Sequence, residues 1–307
     1  MAVRVSEEWF GMCGGCEVSV LDIGDALLDL LPSLQFVHMP VLVDHKYFGQ
    51  RGERHNGPEL PEADVGILTG CIRNEENKRL AEEMRKKVKT LIALGSCASF
   101  GGIPALANLS TTAELLEKVY KGSKTTEPAD SPSREIPPLL DRAYAVSEVV
   151  KPDVFIPGCP PEPGMIAEAL VSLLEGKPFK LPEKSVCDEC PMKREKKAVS
   201  ALKRPLEPME FAPLSETRCF MEQGFLCLGP ATRAGCAGER GGPRCVMSYM
   251  PCRGCFGPLK DTANPMVDMM SALSSIGLDP KEILDRAATF NRYAGAQGRL
   301  RPAPVKR

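Results

Sequence analysis

Short apolar runs alternate with helix-like segments over the first 180 residues. This alternation restricts the possible fold of the chain more than any other feature of the sequence. Strand, helix and strand in repetition predict an α/β domain, residues 1–180, with a parallel sheet covered by helices on both faces. The predicted strands cover residues 3–10, 34–41, 64–70, 90–96 and 153–158. The predicted helices cover residues 17–31, 75–88, 111–121, 138–150 and 163–175.

Cysteines follow the predicted strands at the point where each strand ends. Cys13 and Cys16 come after the first strand, Cys71 after the third, Cys97 after the fourth and Cys159 after the fifth. Because the carboxyl ends of parallel strands meet at one edge of a sheet, we expect these thiols to converge. A 4Fe-4S cluster needs four thiolates. We assign Cys13, Cys16, Cys97 and Cys159 to such a cluster and interpret Cys71 as a small residue packed nearby.

Residues 181–307 have a different character and predict a second, irregular domain that is organised by bound metal rather than by an apolar core. Two terminal helices are expected to close the chain. The second helix would have Asp279 as its N-cap and Pro280 in its first turn, with one apolar face formed by Ile283, Leu284, Ala287 and Ala288. Chain order divides the eight cysteines of this half into two groups, which are Cys187, Cys190, Cys219 and Cys227, and then Cys236, Cys245, Cys252 and Cys255.

Composition and charge restrict the function. The formal net charge of −1 argues against a general nucleic-acid binder. No stretch approaches the roughly 18 apolar residues that span a bilayer. No export signal is visible, so a cytoplasmic protein is expected. In that reducing compartment the 13 cysteines should bind metal rather than form disulfides. His38, His45 and His55 all precede the second half, so metal sites built from later residues must do without imidazole.

Other chemistries compete with iron–sulfur ligation. Paired C-x2-C motifs are typical of structural zinc ribbons, and spacing alone favours zinc and iron–sulfur equally in the second half. A redox dithiol at Cys13 and Cys16 would leave most other cysteines unexplained. The glycine pattern of a phosphate-binding loop is missing from the sequence. We interpret the basic segment 192–204 as a solvated face, with a docking surface for a partner protein as the alternative.

The chain resembles the small subunit of nickel–iron hydrogenases and, more distantly, the cluster-bearing subunit of complex I. The resemblance rests on the motifs "CGGC", "GSCASFGG" and "PGCPPEPG" and implies a flavodoxin-like sheet. Cys187 stands where the family usually has a histidine. Cys245 stands where the family often has a proline, which implies a 4Fe-4S rather than a 3Fe-4S cluster. Glu17 directly follows Cys16, unlike the "C-x-G-C-x-E" of periplasmic members, so the role of that glutamate is not carried over.

The segments "CGGCEVS" and "TGCIRNEEN" look most similar to the F420-non-reducing, methyl-viologen-reducing hydrogenase of methanogens. This resemblance implies an electron-transfer subunit with three 4Fe-4S clusters and without catalytic residues. The Cys13 group would be proximal, the Cys187 group distal and the Cys236 group medial. A partner large subunit would hold the nickel–iron centre, and electrons would pass through a 2Fe-2S subunit to heterodisulfide reductase. The alternatives are an F420-reducing hydrogenase small subunit and, from another class, a zinc-ribbon interaction protein.

Overall fold

This computed structural model describes residues 2–40, 43, 47, 59–204, 206–207, 209–210, 212–260 and 262–302. The last residue of the predicted strand 34–41 lies outside these ranges, and so do His45 and His55. All 13 cysteines lie within the described part of the chain, and each is a free thiol.

A parallel sheet of five strands is the centre of the fold. The strands of the described chain are β1 (Val3–Trp9), β2 (Leu34–His38), β3 (Ala63–Thr69), β4 (Ile72–Asn74), β5 (Val88–Leu94), β6 (Leu139–Tyr144) and β7 (Val154–Ile156). The sheet has the order β2-β1-β3-β5-β7, and all neighbours pair in parallel. Counted along the chain, its strands follow the flavodoxin-like order 2-1-3-4-5. The α/β prediction and all five predicted strands are therefore confirmed, with ends shifted by a few residues.

Helices connect the strands of the first half, and further helices follow the last strand. They are α1 (Gly15–Leu21), α2 (Asp25–Leu30), α3 (Glu75–Lys87), α4 (Gly95–Phe100), α5 (Thr112–Tyr120), α6 (Pro163–Leu174), α7 (Arg244–Met247), α8 (Pro265–Ser275) and α9 (Arg286–Phe290). Side chains define several helix starts, as in the capping box that Thr111 and Glu114 form at α5. Within the described ranges, every helix is too short or too polar to cross a membrane.

Two predicted helices of the first half differ from the structure. The predicted helix 17–31 is divided into α1 and α2, because Gly24 has a φ of 67° that helical geometry does not allow. The predicted helix 138–150 is wrong, since its first part is strand β6, which pairs antiparallel with β4. Pro137 and Pro138 precede this strand and favour extended backbone there, and Arg73 of β4 donates to the Leu140 carbonyl at 2.7 Å.

The prediction that the terminal helix begins after Asp279 is also wrong. Asp279 does accept a hydrogen bond from the Lys281 N–H, but it caps only a short 3₁₀ turn, Pro280–Glu282. The regular helix α9 begins later, after its own N-cap Asp285. Ile283 is buried in the connection, whereas Leu284 is fully exposed. The single apolar face predicted for Ile283, Leu284, Ala287 and Ala288 is wrong, because the first two residues precede α9.

The two faces of the sheet pack against different helices. On one face, Ile67 and Ile92 pack with Ile166 of α6 in a large apolar cluster. On the other face, Leu68 and Leu91 pack with Leu80 and Met84 of α3. Neighbouring residues of a strand thus point to opposite faces, and both faces are buried, as is typical of parallel sheets.

The later part of the chain packs directly onto this α/β unit. Phe220, Phe225 and Phe256 are buried in the same cluster as the α6 face of the sheet. Met165 of α6 and Phe256 meet at Gly235, where a side chain would have no room. Buried packing is therefore continuous across residue 180, and the division into domains 1–180 and 181–307 stays a prediction.

Gly66 in the central strand β3 offers a test of this packing. A methyl group there would lie 2.9 Å from the Met84 sulfur and 3.0 Å from a Val88 methyl. Gly66→Ala is expected to lower the free energy of unfolding by about 1–3 kcal/mol, because the added carbon overpacks the α3 face. The measurement is urea unfolding followed by circular dichroism. Gly122→Ala is the control, since its methyl meets nothing closer than 3.4 Å, and equal losses in both variants would contradict the packing.

Candidate iron–sulfur sites

Four of the predicted ligands meet at the carboxyl edge of the sheet. Cys13 and Cys16 lie in the turn between β1 and α1, Cys97 lies in the first turn of α4, and Cys159 follows β7. Gly14 makes the first turn possible, because its φ of 86° lies in the left-handed region. The parallel topology brings these thiols together although the first and last are far apart in the chain.

The pKa values of these thiols show that they form one group. Burial, followed by the charges of Cys159, Cys71 and Cys13, raises the pKa of the Cys97 thiol to about 12. Burial also raises the pKa of Cys16 above its usual range, with further increases from Glu17 and from the other three thiols of the set. Such thiols do not ionise together unless a cation compensates their charge.

Glycines leave room for this group of sulfurs. A side chain at Gly95 would place its first carbon 2.3 Å from the Cys16 sulfur. A side chain at Gly102 would place its first carbon 2.4 Å from the Cys97 sulfur. Both positions therefore have to be glycine for the thiols to keep their places, and both glycines have positive φ as well.

Cys71 lies beside this group but packs differently. Its backbone exchanges two hydrogen bonds with Gly11, and it belongs to a small buried cluster with Ala105, Ala143, Ala145 and Ala296. Burial raises the pKa of its thiol to about 11. These contacts agree with the interpretation of Cys71 as a packed residue near the cluster.

The Cys187 group is held by the irregular segments of the second half. Burial raises the pKa of the Cys187 thiol to about 11, with smaller increases from Cys219 and Cys190. Burial likewise raises the pKa of Cys227 to about 12, and Cys187 and Cys219 add to that shift. Gly229 lies between two of these sulfurs, since a side chain there would be 3.1 Å from Cys187 and 3.6 Å from Cys227. The four thiols grouped by chain order are thus neighbours in space.

The Cys236 group lies between the other two groups. Burial and the charges of Cys236, Cys245 and Cys159 raise the pKa of the Cys255 thiol to about 12. Cys255 is therefore near Cys159 of the sheet-edge group. On the other side, the Cys252 N–H donates to the Cys227 sulfur at 3.2 Å. In space, the sheet-edge group is therefore followed by the Cys236 group and then by the Cys187 group. This order differs from the order of the groups along the chain, so the sequence alone could not give it.

Polar side chains that the sequence analysis missed join the loops of these groups. The Ser96 hydroxyl accepts a hydrogen bond from the Gly158 N–H at 3.0 Å and donates to the Cys255 carbonyl. Arg244 donates to the carbonyls of Pro160 and Pro161 at 3.3 and 3.0 Å. Ser96 directly precedes Cys97, and this position is the one signal that could have singled it out. The partners of Arg244 are more than 80 residues away, and the sequence carries no sign of them.

A carboxyl pair is buried behind the Cys13–Cys16 turn. Glu7 of β1 is 1% exposed and Glu17 of α1 is 6% exposed. Apart from the contact between the two carboxyl groups themselves, their oxygens have no hydrogen-bond partner among the described residues. Burial, and then the charge on Glu17, raises the pKa of the Glu7 carboxyl well above its usual value. Burial thus favours the protonated form of Glu7 in the folded protein.

The residues at the three groups fit iron–sulfur clusters. Each group supplies four thiols, which is the donor set of a 4Fe-4S cluster, and glycines leave the sulfurs unobstructed at the sheet edge and at Gly229. No three His, Cys, Asp or Glu side chains in the described ranges converge closely enough to bind a single metal ion.

Known proteins are similar to this chain in sequence and in fold. The family model described as NADH ubiquinone oxidoreductase, 20 Kd subunit, matches residues 13–173. One subunit of the F420-non-reducing hydrogenase vhu of Methanocaldococcus jannaschii is 41% identical over 95% of both chains. A chain of an NAD⁺-reducing [NiFe]-hydrogenase in the H2-reduced state has a TM-score of 0.53 at 29% identity, covering 59% of this chain and 96% of its own. A chain of the [NiFeSe] hydrogenase from Desulfovibrio vulgaris Hildenborough shares the fold, with a TM-score of 0.53 at 20% sequence identity. The match covers 84% of this chain and 94% of that one.

Ser96 can be tested against a neighbour in the same helix. Ser96→Ala leaves the Gly158 N–H and the Cys255 carbonyl without this partner, so stability should fall by about 1–3 kcal/mol. Ser99→Ala should not lower stability, because the Ser99 hydroxyl is buried with no hydrogen-bond partner among the described residues and its removal leaves no group unpaired. Urea unfolding of the anaerobically purified protein measures both variants. A loss at Ser99 as large as that at Ser96 would contradict the bridging role.

Glu7 leads to a prediction about pH. Because the pKa of Glu7 is raised in the folded protein, its contribution to the free energy of unfolding is fully present below the ordinary carboxyl pKa of 4.5. This contribution is lost as the pH rises above that value. Glu7→Gln carries no ionisable proton, so its unfolding free energy should fall less than the parent's between about pH 5 and pH 8. Urea unfolding at several pH values measures this slope. Glu168→Gln, at an exposed position of α6, should keep the parent slope, and an unchanged slope in Glu7→Gln would contradict the buried acid.

Proposed function

The chain belongs to the family of nickel–iron hydrogenase small subunits, most similar to the F420-non-reducing type, and we propose that it relays electrons from H2 oxidation through three 4Fe-4S clusters. The observation that carries this proposal is the continuous series of twelve thiols in three groups of four. Cys159 and Cys255 connect the first group with the second, and Cys252 and Cys227 connect the second with the third. When bound, each cluster would supply one-electron chemistry.

The protein's own residues would hold and insulate the series. Twelve cysteines would ligate iron: Cys13, Cys16, Cys97 and Cys159 at the proximal site, Cys236, Cys245, Cys252 and Cys255 at the medial site, and Cys187, Cys190, Cys219 and Cys227 at the distal site. Backbone N–H groups such as that of Cys252 donate to ligand sulfurs and so help to set the potential of a cluster. Burial of Cys227, Cys236 and Cys252 excludes water from that part of the path.

Partners complete the proposed reaction. A large subunit with the nickel–iron centre would split H2, so no catalytic residue is assigned to this chain. Electrons would leave through a 2Fe-2S subunit to heterodisulfide reductase, in a complex of the cytoplasm. The zinc-ribbon alternative is disfavoured by the family membership of nearly the whole chain.

Metal analysis tests the proposal. The chain is purified anaerobically together with its co-eluting subunits. Apart from the iron of these partners, each copy of the chain should contain about twelve iron atoms and about twelve acid-labile sulfides. The preparation should show a broad absorption and a brown colour. Cys97→Ser should lose up to about four irons, because the proximal site loses a ligand. Cys71→Ser is the matched control at the same sheet edge and should keep all of them.

Two results would contradict it. The first is about two zinc per chain and no colour, which would support structural zinc sites in the second half. The second is an iron loss in Cys71→Ser equal to that in Cys97→Ser, which would make Cys71 a ligand and break the grouping into fours.

A further inference from the structure

A cavity of about 390 Å³ opens on the surface of the second half. Leu202 and Pro251 belong to its walls, and the buried side chains of Phe225 and Leu228 form its floor. The floor is apolar, whereas the residues around the opening are charged. This combination differs from the apolar cavity beside the sheet, where Glu7 is the one charged residue among the described lining residues.

Among the described residues that line the cavity, every charged one is a cation. These cations are Lys203, Arg204, Arg253 and Arg292. The first three are exposed, and Arg292 is half-buried. Lys203 lies 5.3 Å above the Phe225 ring. Within the part of the chain that the structure describes, no carboxylate forms an ion pair with these four side chains; Glu207 accepts only from the backbone N–H of Arg204.

This concentration of positive charge is local. The whole chain has a formal net charge of −1, so four cations around one opening are not part of a general basic excess. Like charges held close together favour binding of an anionic group. Arginine guanidinium groups bind carboxylates especially well, since they can donate two parallel hydrogen bonds.

The cavity lies where two of the thiol groups meet. Leu226 and Leu228 line it on either side of Cys227, and Pro251 and Arg253 line it on either side of Cys252. The Cys252 N–H to Cys227 sulfur contact therefore joins two of the segments that line the cavity. A protein bound in the cavity would approach the outer part of the proposed relay.

We propose that this cationic cavity is the docking site for an acidic segment of the protein that accepts electrons from this chain. The cations lie on the rim and the apolar side chains in the centre, which is the usual composition of a protein–protein interface. Complementary charge would guide an acidic partner to this face and orient it. The role in electron exit rests on the proposed function, but the binding of an acidic segment does not.

Peptide binding tests the docking site. The probe is a fluorescein-labelled peptide of alternating glutamate and leucine, about ten residues long, and its lysine–leucine counterpart is the comparison. Fluorescence anisotropy with the anaerobically purified complex should show binding of the acidic peptide alone, weakening as salt increases. The double variant Lys203→Glu/Arg253→Glu should weaken that binding by about tenfold or more. A photo-crosslinker at the peptide centre should label residues of the cavity wall.

A matched charge reversal provides the control. Lys118→Glu/Lys151→Glu changes two exposed lysines outside the cavity by the same total charge and should leave the affinity unchanged. Equal losses in both double variants would overturn the proposal, because the peptide would then respond to net charge. It would also fail if phosphate displaced the peptide where chloride of equal ionic strength did not, since the cavity would then be a small-anion site. The iron content of each variant is measured separately, so loss of a cluster is distinguishable from loss of docking.

Discussion

The burial of many thiols close together is the constraint on which the rest of the structure depends. A buried thiol beside other thiols resists ionisation, as the raised pKa values of Cys97, Cys227 and Cys255 show. Clustered cysteines can be in their ionised, thiolate form only when a bound cationic group compensates their charge. The irregular second half carries eight of these thiols. Its segments are held by apolar packing around Phe220, Phe225 and Phe256 and by contacts such as that of the Cys219 N–H with the Lys193 carbonyl.

The sheet and the second half are joined where their cysteines meet. Ser96 and Arg244 both connect a proximal loop with the Cys236 group, and Glu162 pairs with Arg240 at 3.0 Å beside them. The links leave little freedom between Cys159 and Cys255. A relay of electrons needs such fixed spacing, so the same contacts that stabilise the fold also serve the proposed function.

Much of this could be predicted from the sequence. The period of the apolar runs indicated the parallel sheet, and the cysteine after each strand indicated the proximal set, because the edge geometry of parallel sheets is general. The strand β6 could not be predicted, since it depends on pairing with β4 rather than on its own pattern. The helix start at Asp279 failed because a good N-cap does not decide how long a helix continues. The order of the two later thiol groups needed contacts between residues that are distant in the chain.

The central claim is that three iron clusters lie within the three thiol groups, in a fixed order. X-ray diffraction from crystals of the anaerobic complex, recorded on both sides of the iron absorption edge, tests it most directly. The account predicts anomalous density at three positions in this chain, with the peak among Cys236, Cys245, Cys252 and Cys255 between the other two. Peaks at the zinc edge instead, or iron absent from any of the three groups, would contradict it.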